Sequence, residues 1–154
     1  MALSDTTLRE FIRGGQIRIE PFEESNLTPA GYDLRSSQDI TLNRGEQMLL
    51  ATLERIELSP DVLGILHLKS SYAREGLYAS LALVDPGFRG QLTVSLLNSG
   101  ENLLSIERGE SFLQLTVLQL STRSERPYDG KYQESSGIVE SKRRLQATNS
   151  SKVA

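Results

Sequence analysis

Gln91-Leu92-Thr93-Val94-Ser95-Leu96-Leu97 carries the clearest pattern in the chain: Leu92, Val94 and Leu96 fall on one side of an extended segment, and Gln91, Thr93 and Ser95 on the other. One side therefore belongs to a core, and the other is wet or lines a site. Turn formers bound the run, with Asp85-Pro86-Gly87 before it and Asn98-Ser99-Gly100 after it.

The same grammar extends in both directions. Short apolar runs from Gln16 to Ile19, Tyr32 to Ser36, Asp39 to Leu42, Gln47 to Leu53, Leu63 to Leu68, Leu81 to Val84 and Ser111 to Leu120 read as strands, punctuated further by Asn43-Arg44-Gly45 and Arg108-Gly109. One segment has helical spacing: Ser4 is a good N-cap, Leu8, Phe11 and Ile12 share a face, and Gly14-Gly15 ends the run. The pattern predicts an all-β domain, a sandwich or barrel of jelly-roll-like character with one short N-terminal helix. After Leu120 the composition turns polar. Residues 1–137 read as the folded domain and 138–154 as a flexible polar tail carrying Lys142-Arg143-Arg144.

Composition narrows the chemistry. The 154 residues suit one domain and include no Cys and a single His, His67, so a Cys/His zinc site and a zinc-hydroxide nucleobase deaminase are excluded. No cysteine nucleophile exists, and a Ser/His arrangement would have only His67, which reads as a structural strand histidine between Leu66 and Leu68. Chemistry then rests on carboxylates, hydroxyls and Lys/Arg. No apolar run approaches the roughly 20 residues of a membrane span, and the start has no secretory apolar core, so the expectation is a cytoplasmic protein without a membrane partner. The formal charge of −3 argues against a general nucleic-acid binder.

Four segments could carry function. Lys69-Ser70-Ser71-Tyr72-Ala73-Arg74 follows an apolar strand and offers hydroxyl, ammonium and guanidinium donors to phosphate oxygens, although the same residues would serve as a solvated strand end. Asp85-Pro86-Gly87-Phe88-Arg89-Gly90 could present a carboxylate and a ring to one ligand, or be a plain turn. Pro29 to Arg35 and Pro127 to Tyr132 each contain a Gly/Asp turn. Gly130-Lys131 lacks the Gly-x4-Gly-Lys-[Ser/Thr] spacing and a following helix, so it is not a P-loop.

Taken together these segments resemble the dCTP deaminase and trimeric dUTPase superfamily, over about Leu3 to Gly137. Pro29 to Leu34 is similar to the first dUTPase motif, Lys69 to Arg74 to the deaminase Arg-Ser-Ser-x-Ala-Arg segment, and Asp85 to Gly90 to the Asp-turn motif of both branches. Gly109 to Leu115 resembles the family's Gly…Gln-Leu strand and Arg126 to Tyr132 its C-terminal triphosphate segment, while the opening through Ile19 is closer to the deaminases. The resemblance implies a dUTPase-like homotrimer with sites between subunits and a Mg2+-bound deoxynucleoside triphosphate, dUTP or dCTP, as ligand. Lys69, Ser70, Ser71 and Arg74 would hold phosphates, completed by Gln114, Tyr128 and Lys131. Asp85 would lie beside the deoxyribose and Phe88 would pack on it. The base would be read largely by main chain around Tyr78 to Val84 and the strand holding Thr93, Val94 and Ser95. Asp33 would hold the metal's water shell or structure the site.

Two departures from the family pattern matter. Lys69 replaces an Arg, exchanging a bidentate fork for a point charge. The family's deaminases carry a Glu ten residues beyond the motif Asp, and here that position is Ser95. A serine hydroxyl is too weak an acid and base near neutral pH to relay protons as a carboxylate does. The sequence therefore predicts a hydrolase converting dUTP to dUMP and pyrophosphate, with Asp85 as the base. The alternatives are a dCTP deaminase or bifunctional enzyme using Glu75, Glu101 or Glu110, and a regulator that binds nucleotide without turnover.

Overall fold

In the computed structural model, which describes residues 1–144, Gln91 to Leu97 lies inside strand β9, Arg89–Asn98, and Leu92, Val94 and Leu96 are buried as the alternation requires. The elements in chain order are α1 (Asp5–Arg13), β1 (Ile17–Glu20), β2 (Leu27–Thr28), β3 (Gly31–Arg35), β4 (Ile40–Leu42), β5 (Gln47–Leu58), β6 (Val62–Leu68), α2 (Ser70–Arg74), β7 (Leu77–Ser80), β8 (Leu83–Val84), β9, β10 (Leu104–Ile106) and β11 (Ser111–Gln119). The Ser4 hydroxyl caps α1 by accepting the Thr7 N–H, and Leu8 is buried beneath the helix.

Two antiparallel sheets enclose the core. One runs β1-β5-β9-β7 and the other β2-β3-β11-β6-β8, with β10 and β4 as a separate pair. Leu92, Val94 and Leu96 meet Leu113, Leu115 and Val117 of β11 in one core cluster with Tyr32, Leu34 and Leu66. Burying each such side chain contributes about 1.5–3 kcal/mol, enough in sum to offset the ordering of short strands. Because side chains alternate, the residues between them face outward on opposite sheets: Gln91, Thr93 and Ser95 on one, and Asp33, Gln114 and His67 on the other. Those last three stand in register across β3, β11 and β6.

Six elements depart from the sequence reading. The strand expected to end at Leu53 continues to Leu58, past a register shift between Ala51 and Arg55. It does so with Glu54 fully buried, because the Arg35 Nε donates to its carboxylate at 2.7 Å and the Arg35 N–H at 2.9 Å. Strands β2, β7 and β10 and helix α2 are additional; each is too short to show a period. The run expected from Leu81 to Val84 narrows to the two residues of β8.

Candidate active site

The Asp85-Pro86-Gly87 turn closes on itself through the Phe88 N–H, which donates to the Asp85 carbonyl at 3.1 Å. Gly87 has φ 86°, and a Cβ there would meet Pro127 at 2.6 Å, so only glycine lets residues 127–128 cross this closely. The Tyr128 N–H donates to the Pro86 carbonyl at 2.7 Å, and the Tyr128 and Phe88 rings meet edge to face with centroids 5.8 Å apart. The two sequence segments around Asp85 and Tyr128 thus form one structure.

Beyond Tyr132 the chain turns back along β9. Ser135 bridges Gly90 in parallel, the Gln91 N–H donates to the Ser135 carbonyl at 2.8 Å, and the Val139 N–H donates to the Thr93 hydroxyl at 3.1 Å. Gln91 serves both sides: its Nε2 donates to the Thr52 carbonyl at the β5 shift, and its Oε1 accepts the Gly137 N–H at 2.5 Å. Val139 and Lys142, within the segment 138–154 expected to be a flexible polar tail, are hydrogen-bonded to Thr93 and Tyr132; residues 145–154 lie outside the described part. Glu134 adds an electrostatic clasp to Arg89 and Arg55, and its carboxyl is held below the ordinary glutamate value by hydrogen bonds from Arg89 and then Arg55. The Tyr132 hydroxyl accepts the Lys142 N–H at 3.0 Å, which lowers its pKa, with the nearby Lys131 and Lys142 charges adding to the effect.

These segments enclose a cavity of about 450 Å³. Asp85, Phe88, Thr93, Ser95 and Tyr128 line it, all expected as site residues from the sequence, together with Gln91, which the alternation had placed on the same face, and Tyr132, which ended a candidate segment without a role of its own. Val94 points into the core, so only its main chain is near the site. Among the described residues the Asp85 carboxylate is exposed and has no hydrogen-bond or ion-pair partner.

The remaining expected residues gather elsewhere. Lys69 is ion-paired with Asp33, Gln114 Nε2 donates to the Thr28 hydroxyl at 2.7 Å, and Arg74 donates to the Ser70 hydroxyl at 2.9 Å. Lys69 leads into α2, which leaves Ser70, Ser71 and Arg74 exposed. Lys131 is outside the cavity lining, its ammonium 5.7 Å from the centre of the Tyr132 ring. Glu75, Glu101 and Glu110 do not line the cavity either; Glu110 accepts the Tyr72 hydroxyl and the Glu107 N–H. The described residues contain no helix long and apolar enough to cross a membrane.

Comparison with known proteins matches a family model described as dCTP deaminase-like to residues 35–120. The chain belongs to the dCTP deaminase-like family. The dCTP deaminase of Thermococcus kodakarensis is 40% identical, over 94% of this chain and 99% of that protein. A probable deoxyuridine 5'-triphosphate nucleotidohydrolase of Sulfolobus islandicus rod-shaped virus 1 is 33% identical, over 90% and 97%. Among solved structures, the native EIAV dUTPase superposes with a TM-score of 0.54 at 29% identity, covering 75% of this chain and 92% of its own. Family membership thus accounts for the mostly β, dUTPase-like fold and for the joint presence of the Asp85 turn and the Lys69 to Arg74 segment.

Proposed function

We propose that this family member hydrolyses the α–β phosphoanhydride of cytoplasmic dUTP, giving dUMP and pyrophosphate, with Asp85 as the base that activates water. Ser95 carries the choice. The cavity holds Asp85 but offers only a hydroxyl at the family's glutamate position, so deamination lacks its proton relay while hydrolysis keeps its base. The unpartnered Asp85 carboxylate leaves room for a water between itself and a phosphate. Phe88, fixed edge-on to Tyr128, offers a wall of the cavity against which a deoxyribose would pack.

None of Lys69, Ser70, Ser71 and Arg74, the residues expected to hold phosphates, lines the cavity. Lys69 is paired with Asp33 on the outer face of the five-stranded sheet and Ser70, Ser71 and Arg74 follow it in α2, so within one protomer these donors stay outside the cavity that holds Asp85. A homotrimer in which the cavity of one subunit is completed by Lys69, Ser70, Ser71 and Arg74 of another, with Gln114, Tyr128 and Lys131 contributing at the margins, fits this division. The donor set also bears on the metal. Among the described residues no three Asp, Glu or His side chains form a metal cage, and Asp33 is committed to Lys69, which fits Mg2+ carried by the triphosphate and gives Asp33 a structuring role. Bound that way, Mg2+ would neutralise and orient the phosphates.

Deamination of dCTP is the second reading, favoured by the name of the 40% identical relative. Incubation with dUTP and with dCTP in the presence of Mg2+, measuring pyrophosphate and ammonia, separates the two. Pyrophosphate from dUTP without ammonia from dCTP is the expected outcome. Ammonia from dCTP would transfer the assignment to a deaminase or bifunctional enzyme, and tight binding without either product would leave a nucleotide-binding regulator.

A further inference from the structure

The wall that β9 presents to the cavity contains four polar side chains or their immediate neighbours whose hydrogen bonds can be followed one by one. Gln91 uses its amide nitrogen on β5 and its oxygen on Gly137. Thr93 donates to the Gly137 carbonyl and accepts the Val139 N–H. Ser135 donates to the Tyr132 carbonyl. Ser95 differs: its oxygen accepts the Gln47 Nε2–H at 2.7 Å, and among the described residues its own proton has no acceptor. A hydroxyl has one proton and two lone pairs, so an amide donor on one lone pair leaves the proton to be given to whatever enters the cavity.

The surroundings of Ser95 suit a planar ring. Leu49, Ser95 and Ser80 pair across β5, β9 and β7 and all line the cavity, with Leu83 beside them. At a strand rise of about 3.3 Å per residue, Ser95 stands about 13 Å from Gln91. The row of Leu49, Ser95 and Ser80 beside Leu83 and the aromatic pair Phe88–Tyr128 therefore mark different ends of one elongated site, enough for a base at the first and a sugar at the second. We propose that Ser95, held as a hydrogen-bond donor by Gln47, selects a pyrimidine that presents a ring carbonyl to it over one that presents an amino group, and so favours uracil over cytosine. This assignment rests on the nucleotide reading of the cavity, although not on hydrolysis.

A carbonyl oxygen at that edge accepts the Ser95 proton. An amino group instead meets donor against donor and is accommodated only if the Gln47 amide turns over and takes the Ser95 proton on its oxygen. Because Gln47 is exposed, that reorientation is inexpensive, and the discrimination from this pair is about tenfold, the value of one ordinary hydrogen bond. Gln47→Glu should reverse it: a carboxylate captures the Ser95 proton and turns the hydroxyl's lone pairs to the cavity. Ser95→Ala should abolish it.

The test measures equilibrium binding of dUMP and of dCMP, and pyrophosphate release from dUTP and dCTP, for the full chain and both variants. The inference predicts a uracil-to-cytosine affinity ratio that falls about tenfold in Ser95→Ala and further, toward cytosine, in Gln47→Glu. Both nucleotides are read on the same folded fraction, so partial unfolding of a variant lowers both affinities without moving their ratio. A ratio unchanged in both variants overturns the inference even if dUTP is hydrolysed. A ratio that moves while no protein releases pyrophosphate keeps the inference and removes the hydrolase reading. A wild-type protein that binds neither nucleotide removes both.

Discussion

The Lys69 ammonium is bound to the Asp33 carboxylate across the gap between the end of β6 and the middle of β3, joining two of the sequence segments that resemble family motifs. An ammonium has three donors, and one of them is spent on this contact. The pair therefore aims Lys69 without exhausting it. Both groups retain solvent contact, so their mutual attraction adds no more than about 1 kcal/mol to stability. Asp33→Asn should leave the thermal midpoint nearly unchanged and raise the KM for dUTP several-fold, as Lys69 loses its orientation. Melting curves beside steady-state kinetics check this. A large loss of stability at constant KM would make the pair a structural tie only.

Asp85 stands at the cavity with its carboxylate uncommitted among the described residues, which is what a water-activating base requires before substrate arrives. Asp85→Asn keeps the shape of the turn, whose internal hydrogen bond uses the Asp85 main-chain carbonyl. The variant should lose about 100- to 10,000-fold in pyrophosphate release while still binding dUMP. Retained turnover would move the base to another group.

Glu134 links the chain after Tyr132 to β5 and β9 through Arg55 and Arg89. Its folded-state pKa lies below the unfolded value, because the docked form favours the carboxylate. The sign follows from linkage: the clasp is fully present above the unfolded glutamate value of about 4.3 and weakens as pH falls through the lower folded value. Hydrogen exchange of residues 133–142 should therefore be slow and constant from pH 7 to about 5, after correction for intrinsic rates, and lose protection below about 4. Glu134→Gln should show reduced protection already at pH 7 and a flatter acid limb. An identical acid limb in both proteins would assign the loosening to other carboxylates.

Local pattern and distant pairing divide what the sequence disclosed. The alternation of β9 and the Ser4 cap are one-segment properties, and both appear as read. The continuation of β5 through Glu54 depended on Arg35, 19 residues away in sequence, and a charged residue in an apolar run reads as an end unless its partner is known. In the site, Asp85, Phe88, Thr93, Ser95 and Tyr128 were legible because a turn, an alternation and a family resemblance marked them. Gln91 was legible only as part of a face and Tyr132 only as the end of a segment, since each acts by accepting a main-chain N–H from residues 137–142, a contact between segments that no short-range period encodes.

The Arg35–Glu54 pair is the costliest polar element of the core. Glu54 is fully buried and Arg35 nearly so, with further bonds from Arg35 to the Glu23 carboxylate and, at 3.2 Å, to the Pro21 carbonyl. Burial pushes the Glu54 carboxyl up, partly offset by the hydrogen bonds and charge of the Arg35 guanidinium. Removing one partner leaves the other charge buried with too few bonds, so Glu54→Ala should cost about 3–5 kcal/mol in urea unfolding. The damage should reach the site as well, because Thr52 is fixed by donating to the Glu54 carbonyl while accepting the Leu92 N–H of β9. Glu54→Gln retains a shape and a hydrogen-bond acceptor for Arg35 and should cost less than the alanine. Equal losses in the two variants would show that the carboxylate charge alone, with no share from side-chain volume or a neutral acceptor, holds β5 at its register shift.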